Sequence, residues 1–266
     1  MCQECGCGNG GGDVKIGAHP HEHEPHHGHE HGHEHHEHGH AHGVMTLNLN
    51  RSLMEKNALL AERNRGFFRA KKLLVLNVVS SPGSGKTTFI RETAARLGAS
   101  LRVGVIVGDL ATDNDAARLR TAGIPVVQIT TGTVCHLDAD MVSKAASQLD
   151  LDQLDVLVIE NVGNLVCPAD YDLGEDLRVV LLSVTEGEDK PLKYPPMFHS
   201  ANVAIITKSD MASAAGFNRD LALINLHRMS HHAQIFELSA KTGDGMQAWL
   251  DFLVQRRSTA ADLKPR

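Results

Sequence analysis

The chain has 266 residues, 42% of them hydrophobic, with 26 Lys and Arg against 32 Asp and Glu for a formal net charge of −6. That length suits one substantial domain with an appendage, and the acidic balance excludes nucleic acid or an anionic membrane as the main, electrostatically driven partner. No apolar stretch approaches the roughly 20 residues that span a bilayer, and a start rich in Cys, Gly and His is unlike a signal peptide, so the expected compartment is the cytoplasm.

Residues 1–18 carry Cys2, Cys5 and Cys7 ahead of a glycine run and lack hydrophobic periodicity. Three soft ligands on a loosened backbone can close around one metal ion, with the terminal amine as a fourth donor if Met1 is removed. Planar Ni²⁺ and tetrahedral Zn²⁺ both suit such donors, and a redox pair or an unligated tail competes with either. Five cysteines, an odd number, argue for metal or redox chemistry over a disulfide framework. Residues 19–43 interleave His with Glu and Gly and hold 13 of the 18 histidines. Imidazoles there can chelate Ni²⁺, Cu²⁺ or Zn²⁺ but nothing can pack, which reads as a disordered tract for metal storage or buffering. An expression tag, the bland alternative, is usually an uninterrupted His run.

A folded domain is expected over 44–266. Leu49, Leu53, Leu60 and Phe67 among polar residues predict an amphipathic helix from Arg51 to about Arg69 that covers one edge. The apolar run Leu73 to Val79 then feeds Ser80-Ser81-Pro82-Gly83-Ser84-Gly85-Lys86-Thr87-Thr88, a phosphate-binding loop. Backbone N–H groups from Gly83 to Thr87 can wrap a phosphate, Lys86 reaches the outer phosphates, and the Thr87 hydroxyl holds Mg²⁺. Ser80 stands where the usual pattern has glycine. Thr88 to Leu97 reads as a helix stopped by Gly98.

Leu101 to Val107 is a second buried strand, and Asp109 at its end points into the ligand crevice or serves as a turn former. Asp113, Asn114 and Asp115 cap a short helix through Leu119, and Ile124 to Ile129 is a third strand. Cys135-His136 precedes a helix ending near Leu149. After the strand Asp155 to Ile159, Glu160 is placed to bind Mg²⁺ directly or through water, and the loop Asn161 to Pro168 carries Cys167. If both loops leave the same sheet edge, Cys135, His136 and Cys167 converge, or two subunits share one ion across a twofold axis. A buried Cys beside a His as core material is the alternative.

Arg178 to Val184 is a further strand, and Thr185 to Pro196, polar and proline-bearing, reads as a surface loop. Asn202 to Ile206 delivers Thr207-Lys208-Ser209-Asp210, which resembles the Asn-Lys-x-Asp guanine motif of GTPases with Thr in place of Asn. The Asp210 carboxylate would accept two N–H bonds from guanine and stay unpaired against adenine, at a cost of about 1–3 kcal/mol. Ser239-Ala240-Lys241 looks like the motif whose Ala240 N–H meets the guanine carbonyl. A last helix, Gly245 to Gln255, presents Met246, Trp249, Leu250 and Phe252 as core. Strands alternating with helices predict an α/β P-loop NTPase fold, a doubly wound, mostly parallel sheet with helices on both faces.

With the Cys2, Cys5, Cys7 cluster, the His tract, Ser81 to Thr88, Gly108-Asp109 through Ala116, Cys135-His136 and Glu160 to Pro168 in line, the chain resembles the HypB family over essentially its whole length. These metal-centre assembly GTPases help insert nickel into nickel-iron hydrogenase. The resemblance implies GTP hydrolysis with Mg²⁺, a nucleotide-dependent homodimer, Ni²⁺ or Zn²⁺ at Cys135, His136 and Cys167, and an N-terminal nickel site at Cys2, Cys5 and Cys7. Its expected partners are a HypA-type nickel chaperone, the hydrogenase large subunit and, in some bacteria, a SlyD-type prolyl isomerase. Lys86, Thr87, Asp109, Asp113 and Glu160 are the expected catalytic set, with Asp113 as the candidate that orients the attacking water. Gly83, Ser84, Gly85, Lys86, Thr87, Thr88, Thr207, Lys208, Asp210, Ser239, Ala240 and Lys241 are the expected nucleotide contacts. Three rivals are a urease-type nickel-insertion GTPase, whose Cys-Pro-His differs from Cys135-His136, a nickel or zinc storage protein with secondary GTPase activity, and a small-molecule kinase, which the guanine motifs and the two metal-ligand regions disfavour.

Overall fold

The computed structural model describes residues 15–16, 42–98 and 100–262. Cys2, Cys5, Cys7 and the His tract up to residue 41 lie outside them. In chain order the elements are β1 (Lys15–Ile16), α1 (His42–Ala70), β2 (Leu74–Val79), α2 (Lys86–Leu97), β3 (Val103–Asp109), α3 (Asn114–Thr121), β4 (Val126–Thr130) and α4 (Ala139–Ala146). They continue with β5 (Val156–Glu160), β6 (Leu177–Ser183), α5 (Lys190–Lys193), α6 (Pro195–His199), β7 (Val203–Thr207), α7 (Arg219–Met229), β8 (Gln234–Glu237) and α8 (Met246–Asp262).

Every residue of β2, β5, β6 and β7 is buried, as strands covered on both faces require. The sheet order is β1-β4-β3-β5-β2-β6-β7-β8, with β2 to β8 all parallel and β1 antiparallel on the β4 edge. Side-chain alternation assigns the two faces. Leu74, Leu76 and Val78 of β2 face a core shared with Phe89 and Leu97 of α2, Leu119 of α3 and Trp249 of α8. Val75 points the other way, toward Phe68 of α1 and Val142 of α4, and on that same face Val180 and Leu182 of β6 meet Phe198 of α6 and Leu226 of α7. The expected doubly wound sheet is therefore present. From β2 the chain winds outward to β3 and β4 on one side and, after β5, to β6, β7 and β8 on the other. The carboxyl ends of β2 and β5 lie at that reversal, where open α/β sheets bind ligands.

Three segments differ from expectation. The first helix begins at His42, well before Arg51, and Leu53 and Phe67, read as its packing face, are 51% and 47% exposed. Its buried stripe is Asn57, Ala61, Asn64 and Phe68, helically spaced but half polar. The segment 185–196, read as loop, contains α5 and the first two residues of α6, because Pro191, Pro195 and Pro196 sit in first turns, where a missing N–H costs nothing. The last helix runs on to Asp262.

Candidate nucleotide and metal sites

The phosphate loop joins β2 to α2. Gly83 and Gly85 adopt φ of +75° and +96°, a region that L side chains rarely occupy, so the loop's curl needs glycine at both positions. Ser80, in the place of the usual glycine, is fully buried beneath the loop. Its hydroxyl accepts a 3.0 Å hydrogen bond from Lys86 Nζ, donates to the Ser81 carbonyl at 2.8 Å and touches Ser84 Oγ. That departure therefore supplies internal bracing. Lys190 of α5 donates to Ser81 Oγ at 3.0 Å from outside the loop.

Beside the loop stands an acidic cluster. Thr87 Oγ1 donates to Glu160 Oε1 at 2.7 Å, while Glu160 Oε2 is buried without a hydrogen-bond partner among the described residues. Burial pushes the Glu160 pKa up to about 7, against the Thr87 hydrogen bond and the Lys86 charge that pull it down. Burial lowers the pKa of Lys86, opposed by the charges of Glu160, Asp115, Glu186 and Asp109. Asp109 accepts from Ala111 N at 3.2 Å and from Thr112 Oγ1 at 3.3 Å, which shapes the turn leaving β3. Asp113 holds the N-cap position of α3 without a side-chain capping hydrogen bond, its exposed carboxylate 3.9 Å from Arg120. Asp115, read from the sequence only as a cap, acts electrostatically on both Lys86 and Glu160.

The base loops follow β7 and β8 and are tied to the phosphate loop. Thr207 Oγ1 donates to the Ser84 carbonyl at 3.1 Å, and Lys208 Nζ donates to the Gly83 carbonyl at 2.7 Å. Lys208 has φ of +57°, strained for a non-glycine residue, and its Cε comes within 3.6 Å of where a Cβ on Gly85 would be. Ser239 Oγ donates to Asp210 Oδ1 at 2.6 Å and accepts from the N–H groups of Lys241 and Thr242, both at 3.2 Å. Ser239 thus aims the exposed Asp210 carboxylate, and Ala240 follows it in the loop.

The second site is Cys135, His136 and Cys167, whose ligand atoms all lie within 4.8 Å of one another. The two Sγ atoms are 2.9 Å apart. His136 stacks on Tyr171 at 3.8 Å between ring centroids, its Nδ1 is buried without a hydrogen-bond partner among the described residues, and burial lowers its pKa. A neutral imidazole beside two sulfurs is a donor set for a late first-row divalent ion, and three protein ligands leave a position for exchange.

One short segment joins the two sites. After Glu160, the Asn161 side chain donates to Asn77 of β2 at 3.2 Å and accepts from Leu137 N at 3.4 Å, one residue past His136. A Cβ on Gly163 would stand 3.2 Å from Pro82, so this loop packs on the phosphate loop. Asn164 Nδ2 then donates to the Cys135 carbonyl at 3.2 Å, three residues before Cys167. The sequence reading missed Asp115, Lys190, Asn161 and Asn164. Asp115 carried a signal, as an acid following the Gly108-Asp109 strand end, whereas Lys190 lay in a segment read as featureless loop.

The CobW/HypB/UreG nucleotide-binding domain model matches residues 74–237. Hydrogenase maturation factor HypB of Escherichia coli strain K12 is 50% identical over 211 residues, 79% of this chain and 73% of that protein. The HypB of Azotobacter vinelandii is 47% identical over 213 residues, 80% of this chain and 70% of that one. Among solved structures, HypB from Helicobacter pylori in complex with nickel superposes with a TM-score of 0.74 at 40% identity, covering 79% of this chain and 99% of the other. HypB from Archaeoglobus fulgidus gives 0.72 at 39% identity, covering 76% and 99%.

Proposed function

Since this chain belongs to the HypB hydrogenase maturation factors within the CobW/HypB/UreG family, we propose that it is a GTPase whose cycle loads and releases nickel for nickel-iron hydrogenase. The observation that carries this reading is the segment from Glu160 to Cys167, which touches the phosphate loop at one end and the metal ligands at the other.

Guanine would be selected by Asp210, held in place by Ser239. The glycine-rich loop would take the phosphates on its N–H groups at the start of α2, and Lys86 would neutralise the outer ones. Thr87 and Glu160, with Asp109 and Asp115 near them, are hard oxygen donors that fit Mg²⁺, and the unpartnered Glu160 Oε2 is the atom left over to accept it. When bound, that ion supplies charge neutralisation on the phosphate oxygens. The first turn of α3 would orient the attacking water: the charge of Asp115 already acts on Lys86, and Asp113 would have to turn inward.

Nickel is the cargo, held by Cys135, His136 and Cys167, with Zn²⁺ a competitor for the same donors. The homodimer forms when GTP is bound, a HypA-type chaperone exchanges nickel with it, and the hydrogenase large subunit receives it. A SlyD-type prolyl isomerase is a further partner. Cys2, Cys5 and Cys7 form a separate nickel site, and residues 19–43 store the metal. Equilibrium dialysis of a chain lacking 19–43 should show lower nickel stoichiometry.

The test is nickel and zinc affinity of the full chain and of a Cys135→Ala/Cys167→Ala variant, each with GDP and with a non-hydrolysable GTP analogue. A nucleotide-dependent affinity in the wild type that the variant loses supports gated delivery. Equal affinities in both nucleotide states would overturn it in favour of storage. Lys86→Ala should abolish GTP hydrolysis, and unchanged turnover would remove Lys86 from the catalytic set.

A further inference from the structure

Outside the N-terminal tract and the Cys135 triad, three histidines gather at one point on the surface. His232 stands edge-on to both of the others, its ring centroid 5.8 Å from that of His199 at 82° and 5.3 Å from that of His231 at 81°. All three side chains are exposed. They come from two segments distant in sequence, the end of α6 and the turn between α7 and β8, and the backbone beneath them is locked. Ser230, fully buried, donates its hydroxyl to the Phe198 carbonyl, its own N–H bonds Leu226 O at 2.7 Å, and Ala233 N bonds Ser230 O at 3.0 Å. The turn carrying His231 and His232 is therefore fastened to the residue before His199.

With metal–nitrogen bonds of about 2.0–2.1 Å, two imidazoles on neighbouring positions of one ion stand with ring centres about 4.5–5 Å apart. In the present rotamers the ligand atoms of the three do not all lie within 4.8 Å of one another, so the site closes by rotation of these exposed side chains. We propose that His199, His231 and His232 form a surface site for a late first-row divalent cation, Zn²⁺ or Ni²⁺, separate from the Cys135 triad. Three imidazoles with the remaining positions open to water suit such ions. His199 precedes β7 and His231 and His232 precede β8, so the cluster lies at the amino ends of parallel strands. The phosphate loop, Glu160 and the base loops follow carboxyl ends. The surface site is thus out of contact with the nucleotide and holds its ion in either nucleotide state.

The experiment uses the full chain and diethyl pyrocarbonate, which modifies unligated imidazole, followed by trypsin and mass spectrometry. His199 then falls in peptide 194–208, His231 and His232 in 229–241, and His227 in 220–228, all apart from the N-terminal tract. Buffered Zn²⁺, and separately Ni²⁺, should slow modification several-fold in the first two peptides together, equally with GDP and with a GTP analogue, while His227 stays reactive. His199→Asn should remove the protection of His231 and His232 without altering protection of His136. Unchanged reactivity of the two peptides once His136 is protected would overturn the site. So would protection of His231 and His232 that persists in both His199→Asn and His232→Asn backgrounds, at whichever histidine remains. Protection that follows the nucleotide would overturn its separateness.

Discussion

At the scale of single residues, Glu160 shows that the candidate nucleotide site carries a buried carboxyl whose charge is costly. Its carboxyl sits 2% exposed, with burial raising the pKa from 4.5 to about 7. The folded chain therefore binds more protons than the unfolded one between those values. The stability from this group is whole below the unfolded pKa of 4.5 and is lost as pH rises through about 7. A shift of this size corresponds to at most about 3 kcal/mol. In nucleotide- and metal-free protein kept with a chelator, Glu160→Gln should raise the melting temperature relative to wild type at pH near 8. The gap should close as pH falls toward the ordinary carboxylate range. Glutamine Oε1 can still accept from Thr87, so the comparison isolates the charge. The same substitution should lower GTP turnover sharply, and thermal scans across pH beside a phosphate-release assay check both. A melting-temperature gain that ignores pH would mean that packing, and not ionisation, sets the difference.

At the scale of elements, α1 is a clamp. Asn57 Oδ1 accepts from Ala139 N at 2.9 Å and its Nδ2 donates to Asp172 O at 2.9 Å, while Asn64 Nδ2 donates to Ala139 O at 2.7 Å and to Leu173 O at 3.1 Å. Ala139 follows the Cys135-His136 loop, and residues 172–173 follow Cys167, so one helix face fixes both segments that carry the candidate ligands. Asn64→Ala removes two buried hydrogen bonds, and with the Leu173 carbonyl left short of its donor it should cost about 1–3 kcal/mol in denaturant unfolding. It should also weaken zinc binding at the triad, where a surface change such as Glu55→Ala, whose ion pair with Arg51 is exposed, should alter neither. The strands were legible because runs such as Leu74 to Val79 are apolar but for one residue, Asn77, and flanked by turn residues. The phosphate and base loops were legible because backbone chemistry demands particular residues there. The clamp was not, since a buried stripe made half of asparagine defeats a search for apolar periodicity. The carbonyls that justify those asparagines come from segments about 75 to 115 residues away. Prolines concealed α5 and α6 in the same way: a residue that breaks helix interiors is welcome in a first turn.

At the scale of the whole molecule, the question is whether two sites at one sheet edge form one device. Geometry places Asn161 at the joint, next to Glu160 in the chain and bonded at once to β2 through Asn77 and to the backbone of Leu137 beside His136. Coupling between nucleotide and metal is a free energy, and it is reciprocal: the factor by which a GTP analogue, relative to GDP, changes nickel affinity must equal the factor by which nickel changes the preference between the two nucleotides. Measuring both in the wild type tests whether a single two-state element is shared. Asn161→Ala should bring both factors toward one together, a loss of about 0.5–2 kcal/mol of coupling, while leaving the Cys135, His136 and Cys167 ligands and the Lys86 contacts in place. If both affinities weaken but their ratio persists, Asn161 is a support of the fold. The coupling must then run through the packing of Gly163 on Pro82, where Gly163→Ala would crowd the phosphate loop at 3.2 Å and should shift the ratio instead.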